Sequence, residues 1–405
     1  MSTEPRAARR TRTRRQVAVL AAVSVAVGVG LWAYGNKHQF FDLKIYLSAL
    51  RWWAAGHPLY DYAQPDPVQG RLYFTYPPFA ALLLWPFGRL PTVVAIWAFT
   101  AGTVAGVVVT TRWLVRPLVR HPQRPMWFVA GLATALVLAL ESTRETITFG
   151  QINMLLVVLV LADLLIAVPA GRRWAGVGIG LAAAIKLFPA IFVAYLLVAR
   201  RWRAALVAVA AAAAATLLAA LVAWDASWQF WTDALWSTER VGRKDYTGNQ
   251  SLAGLLNRLT APEPAPTWLW LSAAAAVTAV GLWRAGRAAR AGDPLTGLTL
   301  TGLAAALASP ITWPHHVYWF APAVVALVAA ALADRARPSR RARLLALAGT
   351  TYAVAVFGVV SFLDFGTAAR PTDTVPEFLM RNAYVLLALV LLVALPVREV
   401  KGEPA

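Results

Sequence analysis

Residues 204–223 read AALVAVAAAAAATLLAALVA and carry no charged side chain. A membrane-spanning helix needs about 20 predominantly apolar residues, which is the length of this stretch. An arginine-rich cluster at 200–203 lies directly before it. The stretch therefore predicts a helix that crosses a membrane, with its basic end on the cytoplasmic side.

Comparable apolar runs recur along the whole chain of 405 residues. Hydrophobic residues make up 59% of it and charged residues 14%, whereas soluble domains average about 45–50% and about 25%. This composition excludes a soluble globular protein and a disordered one. We predict an all-α, polytopic transmembrane helical bundle. Its clearest spans are 17–35, 92–111, 126–141, 153–169, 204–223, 267–283, 295–310, 317–333, 344–363 and 380–396.

Two further stretches are harder to assign. Residues 77–87 are apolar but short, and the prolines Pro77, Pro78 and Pro86 favour an interfacial or re-entrant helix. Residues 175–199 contain Lys186 and Pro189 near the middle, which predicts one broken span or two short ones. A split keeps the arginine-rich connectors on one side of the membrane and gives about twelve spans.

The net charge of +19 comes from 38 Lys and Arg against 19 Asp and Glu. The arginines cluster between apolar runs, as the cytoplasmic loops of membrane proteins do. The arginine clusters lie at 6–15, 112–124, 172–173, 200–203, 284–290 and 335–343. Anionic lipid headgroups are therefore the expected partners, and nucleic acid is not.

The absence of cysteine excludes disulfides, Cys-based zinc sites and thiol nucleophiles.

This orientation divides the chain into a basic cytoplasmic tail at 1–16, one integral membrane domain at 17–397 and a cytoplasmic tail at 398–405. The first span is read as an uncleaved helix. The unusual chemistry then falls on the opposite side, where Asp, His, Trp, Asn and Gln are concentrated. No nucleotide-binding motif and no convincing internal repeat is visible. The predicted extracytoplasmic segments are 36–75, 142–152, 224–266, 311–316 and 364–379.

Residues 42–54 of the first such segment predict an amphipathic helix at the membrane surface. Tyr46, Ala49, Leu50 and Trp53 recur at helical spacing on one face. Asp42 stands at the start of this helix, where its ordinary role is that of an N-cap.

The segment 141–153 concentrates charges and amides between two very apolar spans. Such groups are costly at that depth unless they are paired or hydrated. Arg144 could form a structural ion pair with Glu141 or Glu145, and Gln151 and Asn153 could equally satisfy helix ends.

Lys186 is a lone cation within an apolar stretch, which makes it a functional-site hypothesis by default. The ordinary alternative is that it snorkels to the interface where Pro189 breaks the helix. A lysine that faces a lipid phosphate fits both interpretations.

The segment 224–266 carries Trp224, Trp228, Trp231 and Trp236. Tryptophans anchor proteins at membrane interfaces, and sugar-binding surfaces also use flat aromatic rings. Further along the segment stands Asn249-Gln250-Ser251, where Ser251 can cap the next helix.

The segment 309–316 ends in His315 and His316, two of only five histidines in the chain. Adjacent residues point apart on a helix, so the pair does not favour one shared metal ion. Packing by an interfacial histidine is one interpretation. Binding of a phosphate or a sugar hydroxyl is the other.

Together these segments resemble glycosyltransferase family 87, the polyprenol-phosphate-mannose-dependent α-(1→2)-mannosyltransferases of actinobacteria with the GT-C fold. Each motif alone is weak, but six in family order from about residue 40 to 320 are specific. The matching segments are Phe41-Asp42-Leu43-Lys44-Ile45-Tyr46, Phe74-Thr75-Tyr76-Pro77-Pro78-Phe79-Ala80, Arg144-Glu145 with Phe149-Gly150-Gln151-Ile152-Asn153, Ala184-Ile185-Lys186-Leu187-Phe188-Pro189, Asn249-Gln250-Ser251, and Ser309-Pro310-Ile311-Thr312-Trp313-Pro314-His315-His316.

The resemblance implies a polyprenyl-phosphate-mannose donor, a mannosylated lipid or glycan acceptor, and Asp42 as general base. Transfer with inversion is a single displacement that needs one base. The leaving phosphate needs cations or hydrogen-bond donors, for which we select Lys186, His315, His316 and Arg144. No metal site and no cofactor is expected. The residues predicted to bind substrate are Tyr46, Tyr76, Glu145, Gln151, Asn153, Asn249 and Gln250.

Three alternatives remain at this point. The donor could carry another sugar, such as arabinose or glucose. A lipid or glycan transporter is a different class, but it should show charges in the middle of several spans. A non-catalytic scaffold would tolerate the loss of Asp42. We expect the protein in the plasma membrane, with its active site on the extracytoplasmic side.

Overall fold

The computed structural model describes residues 6–66, 70–119, 125–237, 240, 242–334, 336–358 and 374–399, and most of them are helical. In chain order the α-helices are α1 Arg6–Tyr34, α2 Phe41–Ala54, α3 Pro78–Gly88, α4 Thr92–Leu114, α5 Met126–Leu138, α6 Glu141–Phe149, α7 Asn153–Ala162, α8 Val177–Ile185, α9 Ile191–Val198, α10 Trp202–Val222, α11 Trp224–Gln229, α12 Leu252–Thr260, α13 Thr267–Arg290, α14 Pro294–Ala308, α15 Phe320–Ala333, α16 Pro338–Phe357, α17 Val375–Arg381 and α18 Ala383–Ala394.

Short elements connect these helices. Strands β1 (Ala63–Asp66) and β2 (Gly70–Tyr73) form an antiparallel pair in which Ala63 faces Tyr73. Two π-helical turns extend α7 and α11. Short 3₁₀ helices lie at Leu59–Asp61, Arg116–Leu118, Phe188–Ala190 and Pro314–His316.

The lengths of the apolar helices make this a helical membrane protein, as predicted. Within the described residues, α1, α4, α10 and α13 are each long and apolar enough to cross a membrane. The pairs α5–α6 and α17–α18 pass the same test jointly, although they bend by 65° and 73°. Helix length therefore supports four to six spans, and the number of about twelve stays a prediction.

Several predicted features lie outside the described residues. They are the chain ends at 1–5 and 400–405, positions 120–124 and 335 of two basic clusters, and 359–373, which include the end of the predicted span 344–363 and most of the loop 364–379.

The predicted loop 142–152 is wrong, because most of it is the helix α6. Its polar side chains, including Glu141, Glu145 and Thr148, are buried against the protein. The polar residues form a surface of the helix that faces the protein interior. The sequence alone does not distinguish such a buried polar helix from a polar loop. The helix ends at Gly150, whose φ of 70° favours glycine. A Cβ atom there would lie 2.6 Å from the Cβ of Leu43, so this glycine lets α6 end against α2.

The two difficult stretches fold as short, interrupted elements. Residues Pro78–Gly88 form the single eleven-residue helix α3. The stretch 175–199 is broken, as predicted, because α8 ends at Ile185 and Lys186 adopts an extended backbone conformation. Helical structure resumes at Phe188. The break leaves the lysine outside any helix, with its side chain available to neighbouring elements.

Small residues allow the long helices to approach closely. A Cβ atom on Gly180 of α8 would lie 2.3 Å from the carbonyl oxygen of Ala208 in α10. One on Gly281 of α13 would lie 2.6 Å from the Cβ of Ala304 in α14. These contacts build a continuous core of alanine and leucine side chains between the helices.

Gly302 of α14 provides a direct test of this packing. A Cβ atom there would lie 2.0 Å from the ring of Trp319, which is almost fully buried. We expect Gly302→Ala to destabilise the protein by about 1–3 kcal/mol through overpacking and to lower its thermal unfolding midpoint in detergent. Gly349 of α16 has no neighbouring atom within 4 Å and serves as the control. Equal midpoints for Gly302→Ala and Gly349→Ala would show that the ring tolerates a methyl group.

Candidate active site

The helix α2 presents Asp42 from its first turn. The N-cap residue is Phe40, in a left-handed conformation without a side-chain cap, so the N-cap role expected for Asp42 is wrong. The predicted amphipathic face is confirmed, because Tyr46 and Leu50 are buried while Lys44 is exposed. The carboxylate of Asp42 is therefore free of helix capping, and it accepts a hydrogen bond from Gln151 instead.

A chain of hydrogen bonds leads from Asp42 to Lys186. Gln151 donates through Nε2 to Asp42 and accepts at Oε1 from the Tyr76 hydroxyl, at 2.9 Å. The Tyr46 and Tyr76 hydroxyls lie 2.7 Å apart. The Lys186 Nζ atom is 3.3 Å from the Tyr76 hydroxyl. The hydrogen bonds from the carboxylate to the lysine thus join side chains from four separate segments, those of Asp42, Gln151, Tyr76 and Lys186.

Lys186 has two further partners. Its Nζ atom lies 3.1 Å from Oδ1 of Asn153 and 3.0 Å from Nε2 of His316. The other ring nitrogen of His316, Nδ1, accepts a hydrogen bond from the backbone N–H of Trp313 at 3.2 Å. These contacts hold the lysine amine among side chains from neighbouring segments of the protein. We call the connected set the polar network: Asp42, Tyr46, Tyr76, Gln151, Asn153, Lys186 and His316.

The surroundings shift the ionisation of the groups outside the spans. Burial raises the pKa of the Asp42 carboxyl to about 6, against the lowering effect of the Gln151 hydrogen bond. Burial lowers the pKa of His315 and His316 well below the usual range. Asp42 is therefore a stronger base than an exposed aspartate, and both histidines are neutral.

A second buried cluster surrounds Glu145. One carboxylate oxygen lies 3.5 Å from Nδ1 of His315, and the other lies 3.9 Å from Nε2 of His38. The His38 ring stacks on Phe149 at 3.8 Å, and burial lowers its pKa to about 4. The sequence reasoning did not select His38. Histidine scarcity was the available signal, since two of the five histidines meet at Glu145.

A cavity of about 230 Å³ opens beside the polar network. One end is polar and includes Tyr76, Asn153, Lys186, His315 and His316. Most of the remaining wall is apolar and comes from α7, from α9 and the short helix before it, from the turn after α11, and from Trp319 directly before α15. Its members include Met154, Leu156, Val157, Val160, Phe188, Phe192, Phe230, Leu235 and Trp319. The shape and polarity suit a ligand with a charged head and a hydrocarbon body.

The structure does not bring Arg144 to Lys186 and His316. Its guanidinium donates to the backbone carbonyls of Ala139 and of Val356, the latter at 2.7 Å, and lies 4.8 Å from the Tyr34 ring. These contacts join α6 to α1 and to the end of α16. Arg144 therefore braces the helices around the site.

Asn249 and Gln250 likewise use their amides on the protein backbone. Asn249 donates to the Pro310 carbonyl at 3.1 Å and accepts from the Thr312 N–H at 3.0 Å. Gln250 donates to the Arg381 carbonyl at 2.7 Å. Both side chains are almost fully buried. Asn249 thus holds the segment that precedes His315 and His316 in place, whereas Gln250 holds the junction of α17 and α18. Ser251 caps α12 as predicted.

The tryptophans of α11 and the following turn point outward. Trp224, Trp228 and Trp236 are each more than 60% exposed, and the first two stack at 6.1 Å. Phe230, in the same segment, lines the cavity. The segment thus separates an outer aromatic surface from an inner apolar wall, as expected of an interfacial anchor.

Within the described ranges, no group of three or more His, Cys, Asp or Glu side chains could hold a metal ion. The arrangement nearest to such a group is Glu145 with His38 and His315. There the two carboxylate oxygens each contact one imidazole ring.

Comparison with known proteins gives the family. The sequence model of glycosyltransferase family 87 matches residues 74–310. This range includes the selected residues from Tyr76 to Gln250 but not Asp42, Tyr46 or the two adjacent histidines. No solved structure matches the chain.

Three relatives are named glycosyltransferases. The polyprenol-phosphate-mannose-dependent alpha-(1-2)-phosphatidylinositol mannoside mannosyltransferase of Mycobacterium tuberculosis is 36% identical over 307 residues, which are 73% of this chain and 71% of that protein. The corresponding pentamannoside mannosyltransferase of Mycolicibacterium smegmatis is 33% identical over 347 residues, 84% and 80% of the two chains. An alpha-(1->3)-arabinofuranosyltransferase of M. tuberculosis is 31% identical over 264 residues, 62% and 56% of the two chains. The chain belongs to glycosyltransferase family 87 and is a membrane-embedded glycosyltransferase.

Proposed function

We propose that the protein transfers mannose from polyprenyl-phosphate-mannose to a mannosylated lipid such as a phosphatidylinositol mannoside, forming an α-(1→2) linkage. One observation carries this proposal. Lys186 lies at the polar end of an apolar cavity, and hydrogen bonds through Tyr76 and Gln151 join it to the Asp42 carboxylate. The donor needs such a combination, because it is a lipid, an anion and a glycosyl donor at once.

The cavity suits the donor lipid. Its apolar wall removes isoprenoid carbons from water, which is favourable at about 25 cal/mol for each Å² buried. The phosphate then lies at the polar end beside Lys186 and His316, where an N–H donor meets each anionic oxygen. His315 faces the same end of the cavity. Arg144 contributes indirectly, through the helices that it braces.

Asp42 is the proposed general base. The acceptor hydroxyl attacks the anomeric carbon from the side opposite the phosphate, and its proton passes to the Asp42 carboxylate. The bond between the anomeric carbon and the phosphate oxygen breaks, and the phosphate leaves with a second negative charge. One displacement inverts the anomeric centre, so a β-linked donor gives an α-linked product. Gln151 and Tyr76 fix the orientation of the carboxylate relative to Lys186.

Lys186 and His316 are the proposed stabilisers of the leaving phosphate, since both can direct N–H groups at the charge that develops there. Tyr46, Asn153 and Glu145 position these groups or the sugar hydroxyls. This reaction uses the chain's own side chains, and we propose that it needs no metal ion.

Transfer assays test the proposal directly. The purified protein in nanodiscs is supplied with polyprenyl-phosphate-mannose and a phosphatidylinositol mannoside, with and without EDTA. We expect a product with one added α-(1→2)-mannose in both conditions. Loss of transfer in EDTA would contradict metal independence. Transfer only from polyprenyl-phosphate-arabinose would assign the donor sugar of the arabinofuranosyltransferase relative instead, and no transfer from any polyprenyl-phosphate sugar would favour a transporter.

The pH profile tests the role of Asp42 as a base. Because the base must be ionised, and its pKa is raised to about 6 by burial, kcat/KM should fall as the pH drops below about 6. The Gln151 hydrogen bond lowers this pKa. The variant Gln151→Leu should therefore move the acidic limb of the profile to higher pH. A limb that stays in place in Gln151→Leu would contradict the assignment to Asp42.

We propose a GT-C arrangement of about twelve spans in the plasma membrane, with the active site on the extracytoplasmic side. The arginine clusters on the opposite connectors support this orientation. The cysteine-free chain allows single cysteines to be placed at the exposed positions Lys44 and Arg173. In intact cells, a membrane-impermeant maleimide should label Lys44→Cys but label Arg173→Cys only after permeabilisation. The reverse pattern would invert the topology.

A further inference from the structure

The hydrogen-bond directions around Lys186 are fixed from both ends of the polar network. At one end, the backbone N–H of Trp313 can only donate, so Nδ1 of His316 is an acceptor. A neutral imidazole carries one proton, and it must then be on Nε2. This N–H is directed at the Lys186 Nζ atom, 3.0 Å away. A doubly protonated ring would oppose two N–H groups at Trp313, and a ring turned by 180° would lose both contacts.

The other two partners of Lys186 both accept hydrogen bonds. The Asn153 Nδ2 group donates to the His315 carbonyl at 3.2 Å, which leaves Oδ1 facing the lysine at 3.1 Å. The Tyr76 hydroxyl donates its proton to Gln151 Oε1, which leaves a lone pair facing the lysine at 3.3 Å. The Gln151 amide is oriented in turn, because its Nε2 group donates to Asp42.

Lys186 therefore meets two acceptors and one donor. A neutral amine has two N–H groups and one lone pair, which matches this set group for group. An ammonium has three N–H groups and no acceptor, so one of its N–H groups would face the Nε2–H of His316. The arrangement satisfies the amine and not the ammonium.

We propose that Lys186 is a neutral amine in the substrate-free protein, and that binding of the donor phosphate brings one proton from solution to this lysine. This inference rests on the proposed function, since it takes a phosphodiester as the ligand. When a phosphate oxygen arrives, it accepts the Nε2–H of His316. The lone pair on Nζ is released and takes up a proton. The site thus acquires its cation together with the anion that pairs with it.

The sign of the linkage follows from the proton count. Polyprenyl-phosphate-mannose is a phosphodiester and keeps one negative charge across neutral pH, so the proton enters the protein. The complex holds one proton more than the free protein, and affinity must weaken as the pH rises, by at most about tenfold for each pH unit. The other titratable groups that face Lys186 are Asp42 from α2, Tyr76 before α3, and His315 and His316.

Calorimetry of donor binding tests the inference. Polyprenyl-phosphate-mannose is titrated into the wild-type protein, without acceptor, at about pH 8 in two buffers of different ionisation enthalpy. Uptake approaching one proton for each bound donor is expected, and the same uptake is expected in Asp42→Asn. Binding without proton uptake overturns the inference and leaves the proposed function standing. Absence of binding in both buffers contradicts the proposed function itself.

Two lysine variants locate the proton. Arginine stays charged at all accessible pH values, so Lys186→Arg should bind the donor without proton uptake and with a flat pH dependence. Lys44→Arg, on the exposed face of α2, is the control and should keep the wild-type uptake. Undiminished uptake in Lys186→Arg would place the proton on another group and overturn the inference. The wild-type measurement decides the matter if Lys186→Arg does not fold.

Discussion

Asp42→Asn is expected to lower kcat by about 10²–10⁴-fold, the usual contribution of a general base. Asparagine keeps the shape of aspartate and can still accept a hydrogen bond from Gln151, but it cannot take the proton of the acceptor hydroxyl. KM for the donor should change little, since the phosphate lies at Lys186 and His316 in the proposed mechanism. Transfer of labelled mannose from polyprenyl-phosphate-mannose measures both constants.

Asp61 provides a matched control in the same segment. It is exposed, and its carboxylate accepts a hydrogen bond from Gln229 at 2.7 Å, apart from the polar network. Asp61→Asn should keep activity close to that of the wild type. If Asp42→Asn retained wild-type kcat, or if both variants lost activity equally, the base would have to be sought elsewhere, first at Glu145 and His315.

Lys186→Gln is expected to lower kcat/KM for the donor by about 10²–10³-fold, the effect of removing one donor that stabilises developing charge. Glutamine is shorter than lysine, so it reaches Asn153 and Tyr76 less well, and it carries no charge. Both the binding of the donor phosphate and the stabilisation of the leaving phosphate should therefore be weaker. The loss should appear in KM as well as kcat, unlike that of Asp42→Asn. Steady-state kinetics with varied donor concentration separate the two constants.

The exposed Lys44 of α2 again supplies the comparison, because it is also a lysine but lies outside the polar network. Lys44→Gln should leave donor kinetics unchanged. Equal kinetics for Lys186→Gln and the wild type would remove the lysine from the phosphate site and would favour its earlier interpretation as an interfacial, snorkelling residue.

The helical membrane architecture could be predicted from local sequence because the bilayer imposes it locally. In hydrocarbon every backbone N–H and C=O must be satisfied within its own segment, so a long apolar run such as 204–223 forms a helix whatever its neighbours do. The break at Lys186 was predictable for a related reason, since Pro189 cannot donate the hydrogen bond that a continuous helix needs. The family could be predicted because several short motifs occur together and in order.

The errors arose where burial decides the outcome. The polarity of residues 141–149 is typical of a loop, yet most of their side chains are buried and their backbone is helical. Asn249 and Gln250 looked like ligands because they are polar and adjacent, but their amides are consumed by backbone groups of distant segments. His38 escaped notice because its partner Glu145 lies more than a hundred residues away in sequence.

By itself, the sequence determined that this chain is a helical membrane protein of family 87, with its reactive residue types in a few short segments. Only the tertiary structure decided which of those residues meet. Asp42 reaches Gln151 across 109 positions, and Lys186 reaches His316 across 130. The physical reason is that apolar periodicity is a local property, whereas the direction of a hydrogen bond depends on which donors and acceptors the packed helices bring within about 3 Å of each other.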